Sequence, residues 1–332
     1  MKRTKRTTSP LQSVAVFTIS LLFVMTALIG LYKCFSQAPE VPDTKLPSQT
    51  DTINPLEPDD LSGTTKEVKD GFYTILVSGL DNENGGSDTN LLVALDAKNG
   101  FINVVSLPRD TLLNVSWSVK KLNNAYHHGG ISRTMEEVSN LLGIPVQFYI
   151  TVDLDAFVEL VDQIGGVDFD IPLDMDYDDP YQDLHIHLPA GPRHLNGEEA
   201  LQVVRWRQNN DGSGYATADI GRIGTQQEFL KALAKQTLQL SNLDKIPAMA
   251  EIFKSNVETD LKLANLVWIG QQALSIGSEG IAFHTLPGDG AGYYKGGSYY
   301  TVEPEATLEL INAYFNPYVQ ALTLDDMDIL VP

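Results

Sequence analysis

Between Ile75 and Thr111 the sequence reads ILVSGLDNENGGSDTNLLVALDAKNGFINVVSLPRDT. Three apolar runs within it, Ile75 to Val77, Leu91 to Leu95 and Ile102 to Leu107, have strand length and many β-branched residues. Each stops at turn-forming or charged residues, the pattern of consecutive short strands. Asp81 follows the first run, Asp88 precedes the second and Arg109 follows the third. This spacing places two carboxylates at one end of a sheet, where α/β folds hold their ligands. Pro108 fixes a backbone corner, and Arg109 next to it projects a guanidinium beside the acids. Two acids and an arginine point to a divalent cation bridged to a phosphate.

Charge sharpens that reading. The formal net charge is −20 over 332 residues, so a nucleic-acid partner would be repelled over most of the surface. An anionic ligand therefore needs a local positive pocket. Beyond the N-terminus the only arginines are Arg109, Arg133, Arg193, Arg205, Arg207 and Arg222. Four of these fall in the segments read here as the site. The single cysteine, Cys34, excludes an intramolecular disulfide and a cysteine-based zinc site.

The N-terminus carries Lys2, Arg3, Lys5 and Arg6, and no charge follows until Lys33. The intervening stretch is mostly apolar, and about 20 helical residues cross a hydrocarbon core. We read residues 1–12 as a cytoplasmic tail and 13–33 as a transmembrane anchor. The basic end stays inside, so the rest of the chain lies outside the cell. A cleaved signal peptide is the alternative, disfavoured because the run exceeds the usual length of about 7–15 residues and Pro39 follows Ser36-Gln37-Ala38. Residues 34–70, with five prolines among Ser, Thr and Asp, read as a disordered tether, and 71–332 as the extracellular domain with a C-terminal extension.

Within the domain, residues 121–130 read as a loop ending in Gly129-Gly130, with Ser132 capping a helix through Leu142. Val146 to Val152 reads as a strand, and Asp153 caps a helix closed by Gly165-Gly166. Val167 to Ile171 returns as a strand. Strand, helix and strand in succession argue for an α/β sandwich. Residues 172–195 read as a solvated acidic loop. Its Asp174-x-Asp176-x-Asp178 start resembles a calcium loop, but Asp179 stands in place of the turn glycine and His185 in place of the bidentate Glu. His185 and His187 have no third zinc ligand at motif spacing.

Asn196 and Glu199 have capping-box spacing and start a helix that ends near Val204, so that Arg205 and Arg207, two apart in extended chain, face one pocket. Two solvated surface arginines are the bland alternative. Asp219, Arg222 and Gln226 share one face of a further helix, although Asp219 with Arg222 also reads as a simple helix-start ion pair. In the tail, helical patterns lie near Ile246 to Lys254, Leu261 to Ser275 and Glu303 to Phe315. A strand-like Ile281 to Leu286 precedes an aromatic stretch through Tyr293, Tyr294, Tyr299 and Tyr300, read as a plain loop rather than a sugar platform.

Taken together, Gly79-Leu80-Asp81, Ser87-Asp88-Thr89, Ser106 to Thr111, Leu122-Asn123-Asn124-Ala125-Tyr126, Gly165-Gly166-Val167, Arg205 with Arg207, and Asp219 with Gly221-Arg222 and Gln226 resemble the LytR-CpsA-Psr family of cell-wall glycopolymer ligases. The resemblance implies an α-β-α sandwich with a central mixed sheet, behind the one N-terminal transmembrane helix. It implies transfer of a glycopolymer from a polyprenyl-pyrophosphate carrier to a peptidoglycan hydroxyl through a phosphodiester. Asp81 and Asp88 would then ligate Mg²⁺, while Arg109, Arg205, Arg207, Arg222 and Gln226 would hold the pyrophosphate. One sheet face would form an apolar tunnel for the lipid. The sequence departs from the family where Glu83, Gly86 and Thr225 replace frequent arginines.

Phosphoryl transfer of this kind needs in-line positioning and charge neutralisation rather than a protein nucleophile. Asp110 or Asp219 would take the acceptor's proton. An acyl-transfer hydrolase is a poor fit, since no G-x-S-x-G elbow is present and no histidine has motif context, and a cytoplasmic part of about 12 residues leaves no room for a DNA-binding domain. The rival is a non-catalytic protein that binds the polyprenyl lipid or the wall polymer, favoured by the missing arginines.

Overall fold

The computed structural model describes residues 36–42, 66–81, 86–152, 154–179, 184–206, 208–215, 219–237 and 257–332. The three apolar runs form strands β1 (Phe72–Asp81), β2 (Gly86–Asp96) and β3 (Phe101–Leu107), paired as an antiparallel meander. Helix α1 (Leu122–Leu142) crosses to β4 (Phe148–Val152), which lies parallel to β1. Two later strands, β9 (Val257–Thr259) and β10 (Ile281–Thr285), close the two edges. The result is a six-stranded mixed sheet in the order β10-β3-β2-β1-β4-β9.

Alternation along the strands builds a core on each face. Phe72, Leu76, Leu92, Val105 and Leu107 pack against Leu122, Ala125, Val138 and Leu141 of α1 and against the C-terminal residues Ile311, Phe315 and Tyr318. Tyr73, Ile75, Leu95, Ile102, Val104 and Phe148 point the other way, towards helix α5 (Leu263–Ile276). Helix, mixed sheet and helix thus form the expected sandwich.

A second lobe is inserted after β4. It runs through α2 (Leu154–Ile164), β5 (Val167–Ile171), β6 (Met175–Asp179), β7 (Leu184–Leu188), β8 (Gly191–Leu195), α3 (Gly197–Arg205) and α4 (Asp219–Thr237). Strands β5 and β8 form one ribbon, β6 and β7 another. Their inner faces share a core of Phe169, Ile171, Ile186, Leu188, Val203, Trp206 and Phe229.

Three expectations are corrected. The expected loop at 121–130 is the first part of α1, which starts at Leu122 and bends at Gly129-Gly130, where Gly130 adopts φ 65° and ψ −155°. Its first free N–H groups are satisfied by a neighbouring loop: Leu122 donates to the Thr111 carbonyl and Asn123 to the Arg109 carbonyl. The break expected at Gly129-Gly130 is present, since both residues leave helical geometry, but the helix resumes directly after it, so Ser132 lies within the first turn of that second segment. The expected acidic loop 172–195 contains strands β6, β7 and β8: Met175 turns inward beside Asp176, and Ile186 and Leu188 turn inward in alternation with exposed His185 and His187. The aromatic stretch is a hairpin, β11 (Gly288–Tyr294) with β12 (Gly297–Val302), which buries Tyr299 and Tyr300.

Other readings hold. Asn196 accepts from the Glu199 N–H at 2.9 Å and Glu199 accepts from the Asn196 N–H at 3.1 Å, completing the capping box of α3. Gly165 (φ 90°) and Gly166 (φ 86°) follow α2. The expected strand at Ile281 is β10, and the expected last helix is α6 (Pro304–Leu310), continued by one wider turn over Ile311–Phe315. The expected anchor at 13–33, the helical pattern near Ile246 to Lys254 and the cap Asp153 lie outside the described residues. Among the described residues no helix is long and apolar enough to cross a membrane. Two pieces of the expected tether are described, and both are docked. Gln37 bonds to Ala264 and Asn265 near the start of α5, and Lys69 donates to the Pro317 carbonyl.

Candidate functional site at the carboxyl edge of the sheet

Strands β1, β3, β4 and β10 run parallel, so their C-terminal ends and the start of the antiparallel β2 share one edge. Asp81 ends β1, opposite Gly86. Gly79 pairs with Thr89 and Leu80 with Ser87, which leaves Asp88 as the extra residue of a β-bulge. Bulges recur next to active sites because they re-aim the bulged residue. The side chains of Asp81 and Asp88 lie outside the described residues. Their backbone is set by a buried polar chain that the sequence reading missed. Ser78 Oγ donates to Asn90 Oδ1 at 2.8 Å, and Asn90 Nδ2 donates to Ser87 Oγ at 3.1 Å. The signal was available, since Ser78 and Asn90 sit at inward-facing positions of otherwise apolar strands.

The third strand leads into the Pro108–Thr111 corner, whose four carbonyls are all engaged. Pro108 O accepts from Thr111 N (3.0 Å) and Thr111 Oγ1 (2.6 Å). Arg109 O accepts from Asn123 N (2.9 Å), Asp110 O from Tyr300 N (2.9 Å) and Thr111 O from Leu122 N (3.0 Å). The corner is thus clamped between α1 and β12. Tyr300 is itself held by its buried hydroxyl, which donates to Leu286 O at 2.5 Å, and burial pushes its phenol up to about 12.

From this fixed backbone Arg109 Nε lies 3.6 Å from Asp110 Oδ1, and Lys121 Nζ lies 3.1 Å from Asp110 Oδ2. Lys121 also stands 5.7 Å from the ring centre of Tyr299. Lys121 was not singled out by sequence, because its contribution depends on the corner folding back onto the start of α1. Asn123 joins corner and hairpin: its N–H bonds to Arg109, and its carbonyl lies 3.8 Å from where a Gly86 Cβ would be. Arg109, Asp110 and the acid-bearing hairpin are therefore brought together at one edge.

The remaining predicted residues sit on the second lobe. Arg205 is the last residue of α3, and Trp206 leaves the helix in extended geometry (φ −63°, ψ 137°), close to the expected end. Arg207 lies outside the described residues. Asp219 and Arg222 occupy the first turn of α4 and Gln226 its second, with side chains outside the described residues. Helix α4 packs against both β5 and β10, spanning from this lobe to the main sheet.

Next to the site edge the sheet has an apolar face that is only partly covered. Tyr73, Ile75, Leu95 and Ile102 are buried, whereas Val77, Leu91 and Ile150, nearer the acids, are half-buried. Leu266, Trp268, Ile269 and Ala273 of α5 line the same space and are likewise half-buried.

Fold and corner together describe an α/β sandwich protein with acidic and basic groups gathered at the carboxyl edge of a mixed sheet. The sequence model of the LytR_cpsA_psr family matches residues 43–315, and the chain belongs to that family. It is 32% identical over 307 residues to the polyisoprenyl-teichoic acid–peptidoglycan teichoic acid transferase TagV of Bacillus subtilis, covering 87% of this chain and 75% of that one. It is 32% identical over 268 residues to TagU of Bacillus cereus, which carries the same transferase description, covering 78% and 84%. The crystal structure of B. subtilis TagV superposes with a TM-score of 0.61 at 31% identity, over 73% of this chain and 95% of that one.

Proposed function

We propose that the chain transfers a glycopolymer from a polyprenyl-pyrophosphate carrier to a peptidoglycan hydroxyl, forming a phosphodiester. The named relatives support this class of reaction. The observation that carries it to this chain is the corner at Pro108–Thr111: four consecutive carbonyls are hydrogen-bonded, so Arg109 and Lys121 flank Asp110 on a pre-set backbone. Preorganised cations of this kind stabilise charge that develops on transferred and leaving phosphate oxygens.

In the proposed mechanism Arg109, Arg205, Arg207, Arg222 and Gln226 bind the pyrophosphate. Asp110 orients Arg109 and Lys121. Asp81 and Asp88 suit Mg²⁺, being hard oxygen donors that the hairpin register and the Asp88 bulge carry to one end of the ladder. A bound Mg²⁺ supplies charge neutralisation at the diphosphate. The acceptor's proton passes to a carboxylate, with Asp110 and Asp219 as the two candidates. The half-buried apolar face between the sheet and α5 receives the polyprenyl chain. The domain works outside the cell, held to the membrane by residues 13–33.

The test is the full-length chain with Mg²⁺, a polyprenyl-pyrophosphate glycan and peptidoglycan. Release of polyprenyl phosphate with glycan joined to the wall supports transfer. Binding without release supports the non-catalytic reading instead.

A further inference from the structure

Strands β6 and β7 pair so that Asp176 lies opposite His187 and Asp178 opposite His185. All four side chains project from the exposed face of this ribbon, while Ile186 and Leu188 are buried on the other. One ligand atom from each of Asp178, His185 and His187 lies within 4.8 Å of the others. Asp178 Oδ1 is 2.5 Å from His185 Nδ1 and 3.4 Å from His187 Nε2. Ligand atoms around a zinc ion at about 2.0–2.2 Å stand roughly 3.5 Å apart, so small rotations complete such a set. A second carboxylate sits behind it: Asp176 Oδ1 accepts from His187 Nδ1 at 2.7 Å, which leaves Nε2 directed at Asp178. Carboxylate, histidine and cation in series are how metal sites fix the tautomer and raise ligand basicity.

The strand carrying both acids is also fixed. Asp176 N donates to Asn209 Oδ1 and Asp178 N to Asn210 Oδ1, each at 2.7 Å, and Asn210 Nδ2 donates to the Asp178 carbonyl at 3.0 Å. Two asparagines thereby take the place of a neighbouring strand. Asn209 Oδ1 also accepts from Trp206 Nε1 at 3.1 Å, which ties this edge to the residue after Arg205.

We propose that the β6–β7 ribbon binds one zinc-class divalent cation through Asp178, His185 and His187, with Asp176 positioning His187. Two imidazoles with a carboxylate select zinc-like ions over Mg²⁺ or Ca²⁺, which take oxygen donors. Three protein ligands leave coordination positions open to water or to an anionic group. The site is separate from Asp81 and Asp88 in position and in donor chemistry, and it stands independently of the transferase reading.

The experiment is calorimetric titration of the chelator-stripped full-length chain with zinc chloride, in excess Mg²⁺ to occupy hard-oxygen sites. One equivalent of zinc binds. His187→Ala and Asp178→Asn each weaken binding at least tenfold, and Asp176→Asn weakens it about tenfold, the low end for such partners. His194→Ala, on the other ribbon, leaves it unchanged. Zinc raises the melting temperature of the parent and not of Asp178→Asn, whose zinc-free melting temperature matches the parent's. Should either ligand variant unfold, His185→Gln gives the same reading. Absence of stoichiometric binding, or equal affinity in parent and ligand variants, overturns the proposal.

Discussion

Gly197 opens α3, the helix that ends in Arg205, and the backbone of α2 approaches it closely. An added Cβ would meet the Val158 carbonyl oxygen of α2 in a hard clash, with the Val158 carbonyl carbon and Cα each at 2.8 Å, against 3.4–4 Å for ordinary contact. These are backbone atoms and cannot rotate away. The Gly197 N–H also donates to Asp162 Oδ1 at 2.8 Å, so shifting α3 stretches a part-buried hydrogen bond. Helix propensity alone favours Ala over Gly by about 0.5–1 kcal/mol. Overpacking costs about 1–3 kcal/mol and wins. Net of the propensity gain, Gly197→Ala should therefore lower stability by about 1–2 kcal/mol, at roughly 2–4 °C per kcal/mol for a domain of this size. Arg205 lies eight residues on, about 12 Å along the helix. A displacement of about 1 Å there lowers turnover by up to about 10²-fold. The comparison is Gly270→Ala in α5, where nothing lies within 4 Å of the added carbon, which should stabilise by about 0.5–1 kcal/mol. Thermal unfolding and polyprenyl phosphate release measure both effects. If Gly197→Ala is as stable as Gly270→Ala, the packing argument is wrong.

Further outcomes follow from the same geometry. Tyr300→Phe leaves the buried Leu286 carbonyl without its hydroxyl donor and should cost about 1–3 kcal/mol in denaturant unfolding. Lys121→Ala removes one of the two cations facing Asp110 and should lower turnover less than Arg109→Ala, with unchanged circular dichroism. On the β5–β8 ribbon, the hydrogen bond to Asp168 raises His194 above its ordinary 6.5, with the Gly165 carbonyl and Glu199 acting the same way and burial opposing them. A raised histidine stabilises the fold fully below about pH 6.5 and loses that contribution as pH rises through the folded value. The melting-temperature difference between parent and Asp168→Asn should thus be present near pH 5.5 and vanish at alkaline pH. A constant difference would discard the pair as its cause.

Much of the main sheet was legible because its strands are continuous apolar runs buried on both faces, with Tyr73 and Ile75 in one core and Phe72 and Leu76 in the other. The Asn196–Glu199 cap was legible because it is local. The start of α1 was not, since Asn124, His127, His128 and two glycines argue for a loop, and the helix begins there because corner carbonyls receive its first N–H groups. Strands β6 and β7 were hidden because their outward positions carry Asp176, Asp178, His185 and His187 within an acid-rich stretch. For the same reason no third partner for His185 and His187 was visible: Asp178 reaches them across the ribbon, through register rather than spacing. At the candidate site Arg109 and Asp110 could be named from sequence, whereas Lys121 and the Ser78–Asn90–Ser87 chain depend on contacts formed only on folding.

The most direct measurement of the central claim is single-turnover release of polyprenyl phosphate by the full-length chain and by Arg109→Ala, with Mg²⁺ and peptidoglycan present. The account predicts glycan joined to the wall by the parent, a fall of about 10²–10³-fold in the variant at unchanged melting temperature, and loss of turnover on chelating Mg²⁺. Equal release by both proteins, or release that survives chelation, would contradict it.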